Sequence, residues 1–230
     1  MESLDTLLRE AEAAHGHLCA GQVLGVRMAM LGCRILGIDD PRGLHSKADR
    51  KRLVTYVEID RCATDAIGVV TGCRLGKRAL KFRDWGKMAA SFLDLGRPAM
   101  PELGLDAIVG GKAVRIAALE SSKDRARELY PHIEGKNAQQ MMAYRELPDE
   151  DLFSVQLVYI PLHPREMPGY KAGRIVCDVC GEGINFDREV AREELVEGTV
   201  VQQTLCQSCA FPEQRYYTPI RQCGFKDDAA

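Results

Sequence analysis

The chain has 230 residues, with 31 Lys and Arg against 33 Asp and Glu, a formal charge of −2. Apolar residues make up 46% and charged residues 28%. That balance excludes wholesale disorder and argues against broad, charge-driven binding to nucleic acid. The start, Met1 to Asp5, has no basic region followed by an apolar run, so no secretory signal is read there. The most apolar stretch, Cys19 to Ile38, is interrupted by Gln22, Arg27 and Arg34. It reads as a buried helix and not a membrane span, and the chain is expected to be cytoplasmic. Nine cysteines in a reducing compartment point to metal or thiol chemistry before disulfides.

In chain order, Ser3 caps a first helix carrying Leu4, Leu7 and Leu8 on one face, continued by Ala11 and Ala14, and ending near His15-Gly16. A second helix is predicted from about Ala20 to Leu36, with Leu24, Met28, Leu31 and Ile35 as its core stripe. Gly21, Gly25 and Gly32 weaken it and signal close backbone approach. After the turn Asp39 to Gly43, the β-branched run Leu53 to Ile59 reads as a strand and Thr64 to Val70 as a short helix ending at Thr71-Gly72. Leu80 to Arg83 and Met88 to Leu93 flank Asp84-Trp85-Gly86-Lys87, which predicts a hairpin. Pro98 to Leu103 reads as a loop, Ala113 to Leu119 as a strand, and Asp124 to Tyr130 and Ala138 to Arg145 as helices. Pro148 to Asp151 reads as a turn and Phe153 to Ile160 as a strand. Strands and helices without regular alternation predict an α+β core, a mixed sheet with flanking helices. The proline-rich stretch His163 to Tyr170 reads as a boundary, giving a core domain over 1–165 and a small module over 174–215.

The module carries the sharpest motif. Cys177-x2-Cys180 and Cys206-x2-Cys209 are separated by 25 residues, and two such pairs can set four thiolates tetrahedrally around one zinc ion. So short a segment buries little apolar area, so the metal would supply most of its folding energy. A closed four-sulfur site is structural. The run Cys177-Asp178-Val179-Cys180-Gly181-Glu182 resembles the four-cysteine zinc fingers of the TraR/DksA type.

Two further clusters lie in the core. His15, His17 and Cys19 alternate just before the second helix, so all three could face one cleft, with Cys19 at a helix start that favours thiolate. Thiolate and imidazole suit zinc or another borderline-soft divalent ion; helix–helix loop filler is the competing reading, as is a Cys/His nucleophilic pair. Glu58 to Asp65 then leaves a strand and enters a helix, with Asp60 and Cys62 alternating in the same sense. Glu58, Asp60 and Asp65 read as surface and capping carboxylates, with Asp60 or Asp65 alternatively a general base. Cys33 reads as core, Cys73 as a small buried residue in a turn, and Cys223 has no evident partner.

Together, His15-Gly16-His17-Leu18-Cys19-Ala20-Gly21 with Gly25-Val26-Arg27, then Asp60 to Ile67 with Thr71 to Lys77, then Phe82 to Asp84 with Gly86 and Lys87, resemble the FmdE-like family of formylmethanofuran dehydrogenase proteins. The resemblance implies an α+β core, a homodimer and a metal-binding cleft with His17, Cys19 and Cys62 as inner ligands. Asp60, Asp65, Thr71 and Cys73 would be neighbours, and His15 a ligand or an orienting partner. The family usually has Pro after the cysteine of the first block, where this chain has Ala20. The segment after Lys77, Arg78-Ala79-Leu80, also replaces a small, polar run. No molybdopterin or electron-cluster motif is present. The implied function is a metal-binding accessory protein in one-carbon metabolism, associated with a molybdenum or tungsten enzyme, holding a zinc-like ion in the core and a structural zinc in the module. One alternative is a zinc-dependent enzyme using the core ion as Lewis acid, with Asp60 or Asp65 as base. Another is nucleic-acid binding through Lys47 to Arg52 and Lys77 to Arg83, against which the near-neutral charge weighs.

Overall fold

The computed structural model describes residues 1–46, 48–49, 51–96, 109–196 and 199–218. It divides into two compact units, Met1–Gly169 and Tyr170–Ala230. The expected loop Pro98 to Leu103, part of the basic stretch Lys47 to Arg52, and Cys223 fall outside the described residues.

In the first unit α1 (Leu4–His15) starts where the Ser3 hydroxyl accepts the Thr6 N–H and ends at Gly16, whose φ of 97° only glycine adopts without strain. It buries Leu7, Leu8 and Ala11. α2 (Ala20–Leu36) follows and is enclosed on most sides. Its glycines work by absence. A Cβ at Gly25 would lie 2.5 Å from the Ala63 carbonyl oxygen, and one at Gly32 2.4 Å from the Phe92 ring. α2 therefore lies flush on α3 (Cys62–Thr71) and on the sheet.

That sheet contains β1 (Leu53–Val57), β2 (Leu80–Phe82), β3 (Ala89–Asp94), β4 (Val109–Ala118) and β5 (Phe153–Leu162), in the order β2-β1-β3-β4-β5. Only β1 and β2 run parallel. Alternation along the strands sends Leu53, Val57, Ala90, Phe92, Val114 and Ile116 into the core shared with the helices. The opposite face gathers Val54, Leu93, Ala113 and Leu162, with Tyr56, Val158 and Ile160 packed against them. On it Glu58, almost fully buried, takes both ends of the Arg115 guanidinium at 2.7 Å. Removing one partner of such a pair costs roughly 3–5 kcal/mol, because the other charge is left buried alone.

α4 (Ser121–Leu129), α5 (Lys136–Glu146) and α6 (Asp149–Leu152) complete the unit. Arg27 of α2 clamps the end of α5: its guanidinium donates to the carbonyls of Tyr144 at 2.9 Å and Leu147 at 2.9 Å, and to Asp149 at 2.7 Å. It thereby satisfies helix-end acceptors that have no partner within the helix. Arg34 also binds Asp149.

Three local expectations change. Leu80 to Arg83 and Met88 to Leu93 do not form a hairpin, because β1 lies between β2 and β3 and pairs with both. The intervening segment instead crosses the end of β1, where Arg83 N–H donates to Val57 O and the N–H groups of Trp85 and Lys87 to Glu58 O. α3 begins at Cys62, two residues earlier than the pattern predicted, since Arg61 takes the extended capping position. Pro148 to Asp151 is the start of the short helix α6 and not a bare turn.

In the second unit β6 (Arg174–Val176) pairs with β7 (Gly183–Asn185), and β8 (Val190–Val196) with β9 (Thr199–Leu205), ahead of α7 (Gln207–Ala210). Among the described residues its core is Cys177, Ile184, Leu205 and Ala210, with Ile175, Val190, Cys206 and Cys209 against them. Among the described residues, no helix is long and apolar enough to cross a membrane.

Candidate metal centres

In the second unit one sulfur from each of Cys177, Cys180, Cys206 and Cys209 lies within 4.8 Å of the others. Cys180 and Cys206 approach to 3.9 Å. Gly181, at φ 73°, turns the chain back so that its N–H reaches the Cys177 carbonyl. Backbone N–H groups of Cys180 and Cys206 hold the Cys177 thiol down to about 6. Burial, followed by the neighbouring Cys206, Cys180 and Cys177 sulfurs, pushes Cys209 up to about 12. The backbone thus favours a thiolate at Cys177, and all four sulfurs would ionise together only with a cation among them.

The first unit gathers its donors from separate elements. His15 is the last residue of α1, His17 stands in the link, and Cys19 caps α2. One donor atom of each lies within 4.8 Å of the others. Around an ion with bonds of about 2.0–2.3 Å, tetrahedral donors stand roughly 3.3–3.8 Å apart, so the set closes on an ion with a shift of roughly 1 Å. The two imidazole rings are 4.9 Å apart and tilted by 45°. His15 Nδ1 donates to the Asp65 carboxylate at 2.8 Å. That bond holds the proton on Nδ1 and leaves the Nε2 lone pair to point elsewhere.

Cys62, at the start of α3, is not one of the three donors that lie within 4.8 Å of one another; its thiol is a neighbour of Cys19. A Cβ at Gly21 would lie 3.4 Å from Cys62 Cβ and 3.7 Å from Cys19 Sγ, so the two thiol side chains flank that glycine. The helix start does not make Cys62 acidic. Burial first, and then the Cys19 thiol, push its pKa up, outweighing the favourable backbone. Two imidazoles and one thiol, with a second thiol beside the first, are donor types that suit a borderline-soft divalent ion.

Not every residue singled out by spacing lies here. Thr71 and Cys73 are at the far end of α3, with Thr71 nine residues and roughly 13 Å of helix from Cys62. Thr71 Oγ1 donates to the Ile67 carbonyl, and buried Cys73 contacts Thr55 Oγ1 and Leu53 O. Neither therefore orients a ligand at the cluster. Asp60 is exposed at the cleft end of the sheet. Asp65 is exposed too, and its carboxylate is engaged by His15. Cys33 is buried among apolar neighbours, and burial pushes its thiol up to about 12.

Two residues outside the motifs belong to the frame of the cluster. Asn137 Oδ1, on α5, accepts the Ala20 N–H at 3.1 Å. A proline at that position has no N–H, so Asn137 ties down the loop where the resembling family usually has Pro. Gln22 is 0% exposed, and both its side-chain amide atoms lack a hydrogen-bond partner among the described residues. Asn137 is over a hundred residues away in sequence, and no local pattern marks it. Gln22 shows in the sequence as a polar interruption of the apolar stretch, but nothing there signals that its amide is buried.

The family profile described as "FmdE, Molybdenum formylmethanofuran dehydrogenase operon" matches residues 14–154. A curated relative from Archaeoglobus fulgidus, named a probable S-adenosyl-L-methionine-binding protein, is 28% identical over 221 residues. The match covers 90% of this chain and 53% of the relative, so the chain spans about half of that relative's length. Among solved structures, a tungsten formylmethanofuran dehydrogenase FmdE-like protein from Syntrophus aciditrophicus aligns with a TM-score of 0.53 at 18% identity. The alignment covers 93% of this chain and 95% of that one, a likeness of fold. With more than half of its length under the family profile, the chain belongs to the FmdE family.

Proposed function

We propose that the chain is a cytoplasmic, homodimeric metal-binding accessory protein serving a molybdenum- or tungsten-dependent enzyme of one-carbon metabolism. The core cleft would hold zinc or another divalent transition metal through His17, Cys19 and Cys62, with His15 as a fourth donor oriented by Asp65. The four cysteines of the second unit would hold a structural zinc. The observation that supports this reading is the approach of one donor atom each of His15, His17 and Cys19 to within 4.8 Å of one another, with the Cys62 side chain beside Cys19. The core ion would supply Lewis acidity. The protein's own contribution is to fix Cys19 and Cys62 at two helix starts and His15 at a helix end, and to hold the His15 proton on Nδ1. Cys62→Ser should lower bound metal by about one ion per chain and leave the other in place, as read by elemental analysis. Full stoichiometry in that variant would overturn the core site.

A metal-dependent enzyme is the second reading. Solvent access favours it: His17 is exposed and Cys19 and Cys62 are only partly covered, so water can reach the ion. Asp60 would then be the base, because Asp65 is already bound to His15. An ion sealed by four protein donors, with no exchangeable water, would count against turnover. S-adenosylmethionine, after the relative's name, belongs among the ligands to titrate.

A further inference from the structure

The chain carries −2 overall, yet between Arg74 and Lys87 six cations (Arg74, Lys77, Arg78, Lys81, Arg83, Lys87) face one acid, Asp84, a local +5. The remainder therefore carries −7. The structure places this segment at the sheet edge formed by β2 and across the exit of β1, where it bonds to Glu58, four residues before Cys62. Lys81 Nζ donates to Glu166 O, and Arg83 stands 3.8 Å from the Glu166 carboxylate, which steadies the edge. Arg74, Lys77, Arg83 and Lys87 remain exposed.

Charge on an edge strand guards against pairing with other strands. That accounts for the lysines but not for the apolar side chains among them. Leu75 is 66% exposed, Phe82 40% and Trp85 62%. Trp85 is the chain's single tryptophan, and Lys87 Nζ lies 5.8 Å from its ring centroid. With Lys87 over the indole and the indole mostly exposed, the surface offers a stacking platform for a neutral flat ring and a cation for an anionic group joined to that ring. We propose that this edge binds a nucleoside polyphosphate, with the base on Trp85 and the phosphates on Lys87, Arg83 and Lys77. The proposal is independent of the core metal, since none of these side chains belongs to the His–Cys cluster.

The single tryptophan makes the test direct. Excited at 295 nm, where adenine is transparent, Trp85 emission is followed during titration with ATP, with adenosine and with inorganic tripolyphosphate. ATP should quench saturably, adenosine at least ~10-fold more weakly, and tripolyphosphate should bind without comparable quenching. Affinity for ATP should fall as salt rises. By calorimetry Trp85→Ala should weaken ATP binding by about 5- to 100-fold, the range expected for loss of one stacking partner. Lys87→Gln should weaken it by at least ~5-fold without lowering the melting temperature, and Cys62→Ser should leave it unchanged. The proposal is overturned if ATP up to millimolar concentration gives no saturable quench, or if Trp85→Ala binds ATP as tightly as the parent. It is equally overturned if an oligouridine strand binds more than ~10-fold tighter than ATP, since the edge would then be a nucleic-acid surface.

Discussion

The four cysteines of the second unit and the His–Cys cluster of the first gather similar donor atoms in opposite ways. In the second unit the donors come in two short knuckles, and two of the four residues of the small core are themselves a cysteine and an alanine beside one. Little but a cation could hold that segment together. In the first unit the donors stand on helices fixed by a large apolar core, by the Arg27 clamp and by glycine-mediated contact between α2 and α3. The four-cysteine site would be made by its ion, and the other is a product of the fold that could wait for one.

Removing metal is the strongest way to break that contrast. Strong chelation should unfold residues 174–215, because a structural ion of this kind supplies about 10–16 kcal/mol. The core should keep its melting transition. Limited proteolysis read by mass spectrometry would show cuts confined to the C-terminal segment, and a core cleaved at the same chelator concentration would contradict the comparison.

A smaller effect is expected at Asp65. Asp65→Asn removes the carboxylate that orients His15 and should weaken core metal binding by about 10- to 100-fold, leaving the four-cysteine ion untouched. Competition against a chromophoric chelator measures it. An unchanged affinity would mean that His15 is not a ligand.

Smaller again is the effect of loosening the frame. Burial raises the Asp149 pKa, but its bonds to Arg27 and Arg34 outweigh this and hold it below the ordinary carboxylate value. A lowered pKa stabilises the fold above the unfolded value, near 3.9, and that contribution fades as pH falls through the folded value. Asp149→Asn should therefore cost the core about 1–3 kcal/mol at pH 7, and progressively less as the medium is acidified below pH 4. Urea melts at several pH values would follow the difference, while the second unit's metal content stays constant.

Much of this was legible in the sequence, for physical reasons. The C-x2-C pairs announce themselves because a metal knuckle is built from consecutive residues. The α2 stripe is visible because helical periodicity is local. The sheet order was not: β2 and β3 flank a turn that looks like a hairpin, and only the non-local competition of β1 for both strands decides otherwise. The same limit hid Asn137, whose bond to Ala20 spans two distant helices. It also misplaced Thr71 and Cys73. They are near Cys62 in sequence, but a straight helix carries them away from it.

The glycine at position 25 has one more consequence. With no methyl there, α2 rests directly on the Ala63 backbone, and Ala63 is the neighbour of Cys62. The separation of the Cys19 and Cys62 sulfurs should thus depend on an empty place about 1.7 turns along the helix from Cys19. Enlarging that residue would act as a wedge, and its first symptom would be a changed taste for ions of different radius, with the chain still folded.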